Sequence, residues 1–313
     1  MAEVLTSTKD MSREDWLHWR QKGIGGSDIA AIAGLNKWKS PAQVYMEKID
    51  EVPEMTNNEE AMYWGDVMED VVLKEFANRS GIKTRKRNAI IQHPQYPYML
   101  ANVDSLVVGK HEGVEAKTAS EYVKDQWEGD EIPTPYLLQC QWYMAVLNYD
   151  AWWIAVLIGG NKFVYKKIER DEELIEQLIE IAKDFWNNHV LADNPPEIDG
   201  TDASTNLLKA MYPESTNDEK VDLENELNSY FDALQVIKSE MDDLTQRKKE
   251  YENKIKEHLG EHEEGSSNRF VAKWKTVNST NFDKKKLKQD YPDLYEQYTK
   301  ESSYRRFTFK EVN

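Results

Sequence analysis

The sequence predicts an α/β chain: a mixed central sheet flanked by helices, followed by a long helix and a small α+β tail. Three observations predict it. Between Met11 and Val190 the periodic segments read as helices, three strands, a helix, two strands and a helix, the order of a mixed sheet covered by helices. Residues 151–158, Ala-Trp-Trp-Ile-Ala-Val-Leu-Ile, are apolar without a break, as a buried central strand is. From Leu223 to His258, residues stepping by four and three form a heptad seam, apolar except at Lys248 and His258.

Taken in order, the first helix opens at Ser12, a good N-cap followed by Glu14 and Asp15, and carries Trp16, Trp19 and Arg20 before stopping at Lys22-Gly23. Gly23-Ile24-Gly25-Gly26-Ser27-Asp28 leads into an alanine-rich helix over residues 29–33. Glycines ahead of a helix leave backbone N–H groups free to meet an anion. Ser27 or Asp28 serves equally well as a plain cap. Residues 41–48 form a helix with Pro41 in its first turn, residues 50–59 a polar loop, and residues 60–79 a longer helix. Its buried stripe is Met68, Val71, Val72 and Phe76, with Glu69 at the edge. Gly65 within it costs about 1 kcal/mol relative to alanine, so packing or close approach must explain it.

Lys83, Arg85, Lys86 and Arg87 suit a phosphate track and a solvated turn alike, and lead into a strand over 88–92. Strands over 98–108 and 113–118 are joined by a glycine-bounded hairpin turn. A helix over 136–147 has Leu137, Cys140, Met144 and Leu147 on its apolar side and the uncharged Gln139 and Gln141 beside them. A strand over 163–168 precedes a helix over 169–190 with Leu174, Leu178, Ile181 and Phe185 inward.

Composition narrows the function. The 313 residues suit one large or two ordinary domains, and ten tryptophans and sixteen tyrosines supply area to bury. The single cysteine, Cys140, rules out an intramolecular disulfide, fits a reducing cytoplasm and reads as core filler. The six histidines have no zinc-like spacing. Residues 1–10 lack the apolar region of a signal peptide, and no stretch approaches the roughly 18 apolar residues of a membrane span. A net charge of −17 excludes non-specific coating of nucleic acid, though not a nuclease that works through metal. Only residues 266–313 are basic, with 11 cations against 6 anions.

The chemistry centres on Asp104 and Glu115-Ala116-Lys117. A hairpin sets Asp104 beside Glu115, and residues i and i+2 of a strand put Glu115 and Lys117 on one face. Two adjacent carboxylates repel until one takes up a proton. A hard divalent cation such as Mg²⁺ removes that repulsion, and Lys117 can then orient or deprotonate the water that attacks a phosphodiester. An exposed hairpin with a surface ion pair would need the same residues.

Several motifs in one order add to this: Arg20 with Gly-Ile-Gly-Gly-Ser27-Asp28, Trp64-Gly65 with Glu69, Asn102-Val103-Asp104, Glu115-Ala116-Lys117, and Tyr136-Leu-Leu-Gln139-Cys-Gln141. Over about residues 9–195 the chain resembles the YqaJ-type viral recombinases, close in pattern to lambda-type exonucleases, within the PD-(D/E)xK nuclease superfamily. The resemblance implies a restriction-endonuclease-like core in which Glu69, Asp104 and Glu115, helped by the Ala116 carbonyl, hold a pair of Mg²⁺ ions, with Mn²⁺ as a substitute. Lys117 would position the attacking water. Arg20, Ser27 and Gln139 would bind the 5′-phosphate, and Tyr136 and Gln141 would line or brace the site. It further implies digestion of linear double-stranded DNA from the 5′ end, leaving a 3′ single strand for an annealing protein of RecT type. A phage or prophage origin, a bacterial host cytoplasm and a homo-oligomer, a trimer in the lambda branch, belong to the same implication. An endonuclease of the same superfamily and a non-catalytic recombination scaffold are the alternatives.

The expected domains are a nuclease domain over 1–198, a linker over 199–220, the heptad helix over 221–260 and a tail over 261–313. The seam predicts coiled-coil pairing, within the chain or between subunits, or else a helix laid on the nuclease domain. In the tail, strands over 269–277 and 304–310 and helices over 282–288 and 293–298 would gather Phe270, Trp274, Phe307 and Phe309 into a small core. That arrangement leaves Lys284, Lys285 and Lys286 free for phosphate.

Overall fold

The computed structural model describes residues 2–49, 59–215, 220–301 and 303–311. The loop expected over 50–59 lies outside them except for Glu59, as do residues 216–219 of the expected linker. Two compact units result, Met1–Tyr212 and Pro213–Asn313.

The first unit runs β1 (Glu3–Ser7), α1 (Arg13–Gln21), α2 (Gly26–Ile32), α3 (Pro41–Lys48), α4 (Glu59–Ser80), β2 (Thr84–Lys86), β3 (Ala89–Gln92), β4 (Leu100–Asn102), β5 (Ser105–Val107) and β6 (Glu112–Ala119). It continues with α5 (Thr134–Leu147), β7 (Ala151–Ile158), β8 (Lys162–Glu169), α6 (Glu172–Phe185) and α7 (Asp202–Met211). A five-stranded sheet has the order β2-β5-β6-β7-β8, parallel only between β6 and β7, and a smaller sheet has the order β1-β3-β4.

Local chemistry sets these boundaries. The Ser12 hydroxyl accepts from the Asp15 N–H at 3.0 Å, Ser40 caps α3 with Pro41 behind it, and Asp171 accepts from the Leu174 N–H at 3.0 Å to start α6. Helix α5 is buried on almost every side from Leu138 to Val146, so it forms the centre of the core rather than a surface layer. It packs against α2, α6 and β7. On the opposite sheet face, α4 buries Val72, Leu73 and Phe76 against Val114 and Ala155. Alternation along β6 therefore turns Val114 and Ala116 toward α4, and Glu115 and Lys117 toward α5.

Several expectations are corrected. The strand expected over 98–108 is two strands in different sheets, β4 and β5, broken at Val103-Asp104, where the Asp104 side chain turns aside to accept the Ala116 N–H. Residues 3–7, unassigned from sequence, form β1 against β3. In α4 Val71 is exposed and Leu73 is buried beside Val72; in α6, besides Leu178 and Phe185, the fully buried positions are Ile175 and Ala182, one residue past the expected Leu174, which is only partly buried, and Ile181, which is exposed. The expected linker over 199–220 instead contains α7, whose Ala203, Ser204 and Leu207 are buried, so the first unit extends to Tyr212.

In the second unit, α8 (Asn228–Leu259) starts seven residues later than expected; Val221 to Glu224 are non-helical. Its seam residues Tyr230, Leu234, Ile237, Met241, Leu244, Tyr251 and Ile255 are exposed. Short strands β9 (Glu264–Ser266) and β10 (Val271–Lys273) pair antiparallel, followed by α9 (Lys284–Asp290) and α10 (Pro292–Gln297). Residues 303–310 form no strand, and Phe270, Trp274 and Phe307 are exposed; only Phe309 is half-buried, against Phe307 and Phe231, so the expected core of four rings is not formed. Two short strands and two short helices offer too little surface to enclose rings of that size.

The β6–β7 pairing depends on a missing side chain. A Cβ on Gly113 would lie 2.2 Å from the buried Trp152 ring, which sits directly over it. Gly113→Ala should therefore cost about 1–3 kcal/mol of stability, read as a lower urea midpoint. An unchanged midpoint would show that Trp152 can move away.

Candidate active site

The Val103-Asp104 break and the strand register place the two central carboxylates. Ser105 pairs with Val114, so Asp104 falls opposite Glu115 one step beyond the ladder. Asp104 Oδ2 accepts the Ala116 N–H at 2.8 Å. Glu115 is 2 % exposed. Its Oε1 accepts from Lys117 Nζ at 2.6 Å and from Gln139 Nε2 at 2.7 Å, while its Oε2 is buried with no hydrogen-bond partner among the described residues. An unpaired carboxylate oxygen at that depth is costly unless a cation meets it.

Electrostatics agree with the geometry. Burial, then the neighbouring Glu115, pushes Asp104 up to about 8, against the opposing pull of Lys117 and the Ala116 N–H. Glu69 is raised by burial and by Asp104, and Lys86 partly offsets this through an ion pair of 3.1 Å. Burial opposes the Lys117 ammonium, but Glu115 and Asp104 raise its pKa above the ordinary lysine value. Beside these two carboxylates Lys117 is a cation and a hydrogen-bond donor to Glu115. Its ammonium lies 5.5 Å from the Tyr136 ring centre, and Tyr136 stacks on the buried Trp127.

Among the described residues no three acidic, histidine or cysteine side chains are gathered into a ready-made metal cage. Glu69 instead faces Lys86, which also pairs with Asp70. The donor set nevertheless fits a hard cation: oxygen only, one oxygen orphaned, and two carboxylates held toward protonation in the cation's absence. Glu69, Asp104, Ala116 and Lys117 line one cleft of about 270 Å³ together with Met62, Gly65 and Asp66.

A second charged centre adjoins the first. Arg20, Ser27, Gln139, Trp16 and Trp19 line a cleft of about 410 Å³ that also reaches Asp104, Glu115 and Lys117. Arg20 Nη2 donates to Ser27 Oγ at 3.0 Å and to Asp28 Oδ1 at 2.7 Å. Asp28 is fully buried and also accepts from Lys39 at 2.9 Å, Lys48 at 2.8 Å and the Gly25 N–H at 3.1 Å. Burial pushes its carboxyl up, yet the three cations Arg20, Lys39 and Lys48 hold it well below the usual range. Asp28 therefore does more than cap α2: it fixes the guanidinium beside the glycine loop. Sequence reasoning missed Lys39 and Lys48, because only the docking of α3 on α2 brings them to Asp28.

The remaining expected residues separate. Gln139 uses both amide protons, on Glu115 and on Tyr143 Oη at 2.8 Å, so it holds the carboxylate rather than projecting toward a phosphate. Gln141 bonds the Glu169 carbonyl and the Asp171 N–H, bracing the β8–α6 turn and not the carboxylates. Burial pushes the Cys140 thiol well up, in keeping with core filler.

The mixed sheet thus sets Asp104, just ahead of β5, beside Glu115 and Lys117 on β6, with Glu69 on α4 lining the same cleft as Asp104 and Lys117. Comparison supplies the family. The model of the YqaJ-like viral recombinase domain matches residues 15–150. The chain is 44% identical over 314 residues to the uncharacterized protein YqaJ of Bacillus subtilis (strain 168), covering 100% of this chain and 98% of that one. The chain belongs to the YqaJ family. Among solved structures it is similar to an alkaline exonuclease from Laribacter hongkongensis (18% identity, 58% of this chain and 94% of that one, TM-score 0.48). It is also similar to a phage related exonuclease from Haemophilus somnus 129PT (13% identity, 55% and 96%, TM-score 0.44). Among the described residues no helix is long and apolar enough to cross a membrane.

Because the folded chain holds a proton on Asp104 that the unfolded chain loses near its ordinary pKa of about 4, stability falls as pH rises from there toward about 8. Asp104→Asn should remove that slope in chelator, so that the variant melts several degrees above wild type at pH 8 and close to it at pH 4. Parallel melting profiles across that range would refute the assigned ionisation.

Proposed function

We propose that this protein is a metal-dependent deoxyribonuclease of the phage recombination type, which digests one strand of linear duplex DNA from the 5′ end. The observation that carries the reading is the buried Asp104–Glu115 pair with its unpartnered oxygen, in a cleft that runs on to Arg20 and Ser27. One pole suits divalent cations and the other suits a terminal phosphate.

Glu69, Asp104 and Glu115, with the Ala116 carbonyl, would hold Mg²⁺, and Glu69 would leave Lys86 to do so. The bound ions would supply a polarised phosphodiester and an acidified water. Lys117, kept cationic by Glu115, would orient that water and balance charge gathering on the phosphate. Gln139 and Tyr136 would hold Glu115 and Lys117 in place. Arg20 and Ser27 would receive the 5′-phosphate, with Asp28 keeping the guanidinium from collapsing onto other acceptors. The product would be a 3′ single strand for an annealing partner of RecT type, handled by a homo-oligomer.

Linear duplex DNA with Mg²⁺ should release nucleotides, chelator should stop release, and closed circular DNA should survive. Lys117→Ala should lower turnover by about 100-fold or more while DNA binding persists. Full activity in that variant, or cutting of the closed circle, would overturn the assignment. Removing the substrate's 5′-phosphate should slow wild type at least several-fold and leave Ser27→Ala, already impaired, little changed. Equal wild-type rates on both ends would remove the phosphate role of Arg20 and Ser27.

A further inference from the structure

Gly65 lies in the second turn of α4, one turn before Glu69 and inside the helix, where glycine is a poor helix former. Neither usual reason for a glycine applies. Its φ is not positive, and apart from the adjoining residues and the helix's own backbone no described atom lies within 4 Å of a Cβ placed on it. Contrast Gly23 and Gly26, where a Cβ would meet the Tyr98 carbonyl oxygen and the Tyr143 ring, each at 2.5 Å. The bare backbone of Gly65 faces the cleft that holds Glu69, Asp104 and Lys117.

We infer that Gly65 is where the sugar–phosphate backbone of the strand being cut crosses α4, and that the glycine is there to let it approach closely. The inference rests on the deoxyribonuclease reading above. Gly65 and Glu69 share a face and lie about 6 Å apart along the axis. A strand with its scissile phosphate at Glu69 and Asp104 therefore has its adjoining sugar over Gly65. Met62 and Asp66 flank the same path, so a side chain at 65 would stand between the strand and the carboxylates. A methyl group shifts the strand slightly, and a larger side chain blocks the seat. Gly65 is thus a positioning residue that acts through the substrate's path, without itself touching the reacting atoms.

The test compares full-length wild type, Gly65→Ala and Gly65→Leu by thermal melting and by digestion of linear duplex DNA with Mg²⁺. Since the site is open, Gly65→Ala should raise the melting temperature by about 2–4 °C. Displacement of the strand by about 1 Å should lower kcat/KM by on the order of 100-fold in Gly65→Leu, with a smaller loss in Gly65→Ala. Stability and turnover thus move in opposite directions, which a packing role would not produce. A lower melting temperature for Gly65→Ala, or wild-type kcat/KM in Gly65→Leu, overturns the inference alone. A wild type that digests no DNA overturns the functional reading, and this inference with it.

Discussion

The arrangement depends on one electrostatic conflict: Asp104 and Glu115 are set side by side in a place too buried for both to be charged without a cation. The fold works to create that conflict. The chain breaks at Val103-Asp104 and changes sheets, the Ala116 N–H pins Asp104, and Gln139 and Lys117 pin Glu115. Beneath them, parallel pairing of β6 with β7 leaves no slack, because Trp152 occupies the space a side chain at 113 would need. A sheet tuned only for stability would have put apolar residues at these positions.

A second charge centre of opposite sign complements the first. Around Asp28 two carboxylates, Asp28 and the Glu47 that shares Lys39, face the three cations Arg20, Lys39 and Lys48, so the surroundings of Arg20 keep one positive charge in surplus despite the chain's net −17. The two centres open into one cleft. A ligand with anionic groups at two points along its length can satisfy both at once, whereas a neutral ligand satisfies neither. Overall acidity and a polyanionic substrate are thus compatible, since charge acts locally at distances shorter than the Debye length of about 8–10 Å.

Much of the first unit was legible because its signals are local. Capping at Ser12, Pro41 at a helix start, the unbroken apolar run of β7 and the turn before Glu115 each depend on a few adjacent residues. Asp104, Glu115 and Lys117 could be placed together because hairpin pairing relates sequence offset to spatial distance. What escaped depends on tertiary packing. The split of residues 98–108 follows from which sheet each half joins. The convergence of Lys39 and Lys48 on Asp28 follows from helix docking, and Gln139 pointing at Glu115 rather than outward follows from the depth at which α5 is buried. The tail was misread because alternating aromatics signal a strand face, while burial needs enough neighbouring chain to cover that face.

That last point separates the two units physically. The first has an extended core around Trp142, Trp152 and Phe76, whereas in the second, among the described residues, only Leu259 is buried. Helix α8 is about 48 Å long, and its internal support is modest: the ion pairs Lys254–Glu250, Lys248–Glu252 and Lys256–Glu252 are each worth only a few tenths of a kcal/mol. Chemistry that requires side chains held to a fraction of an ångström can be built only on the first kind of unit, where packing fixes rotamers. The buried polar groups follow the same division: Asp28, Glu115, Gln139 and Gln141 all lie in the first unit, each held by the core around it.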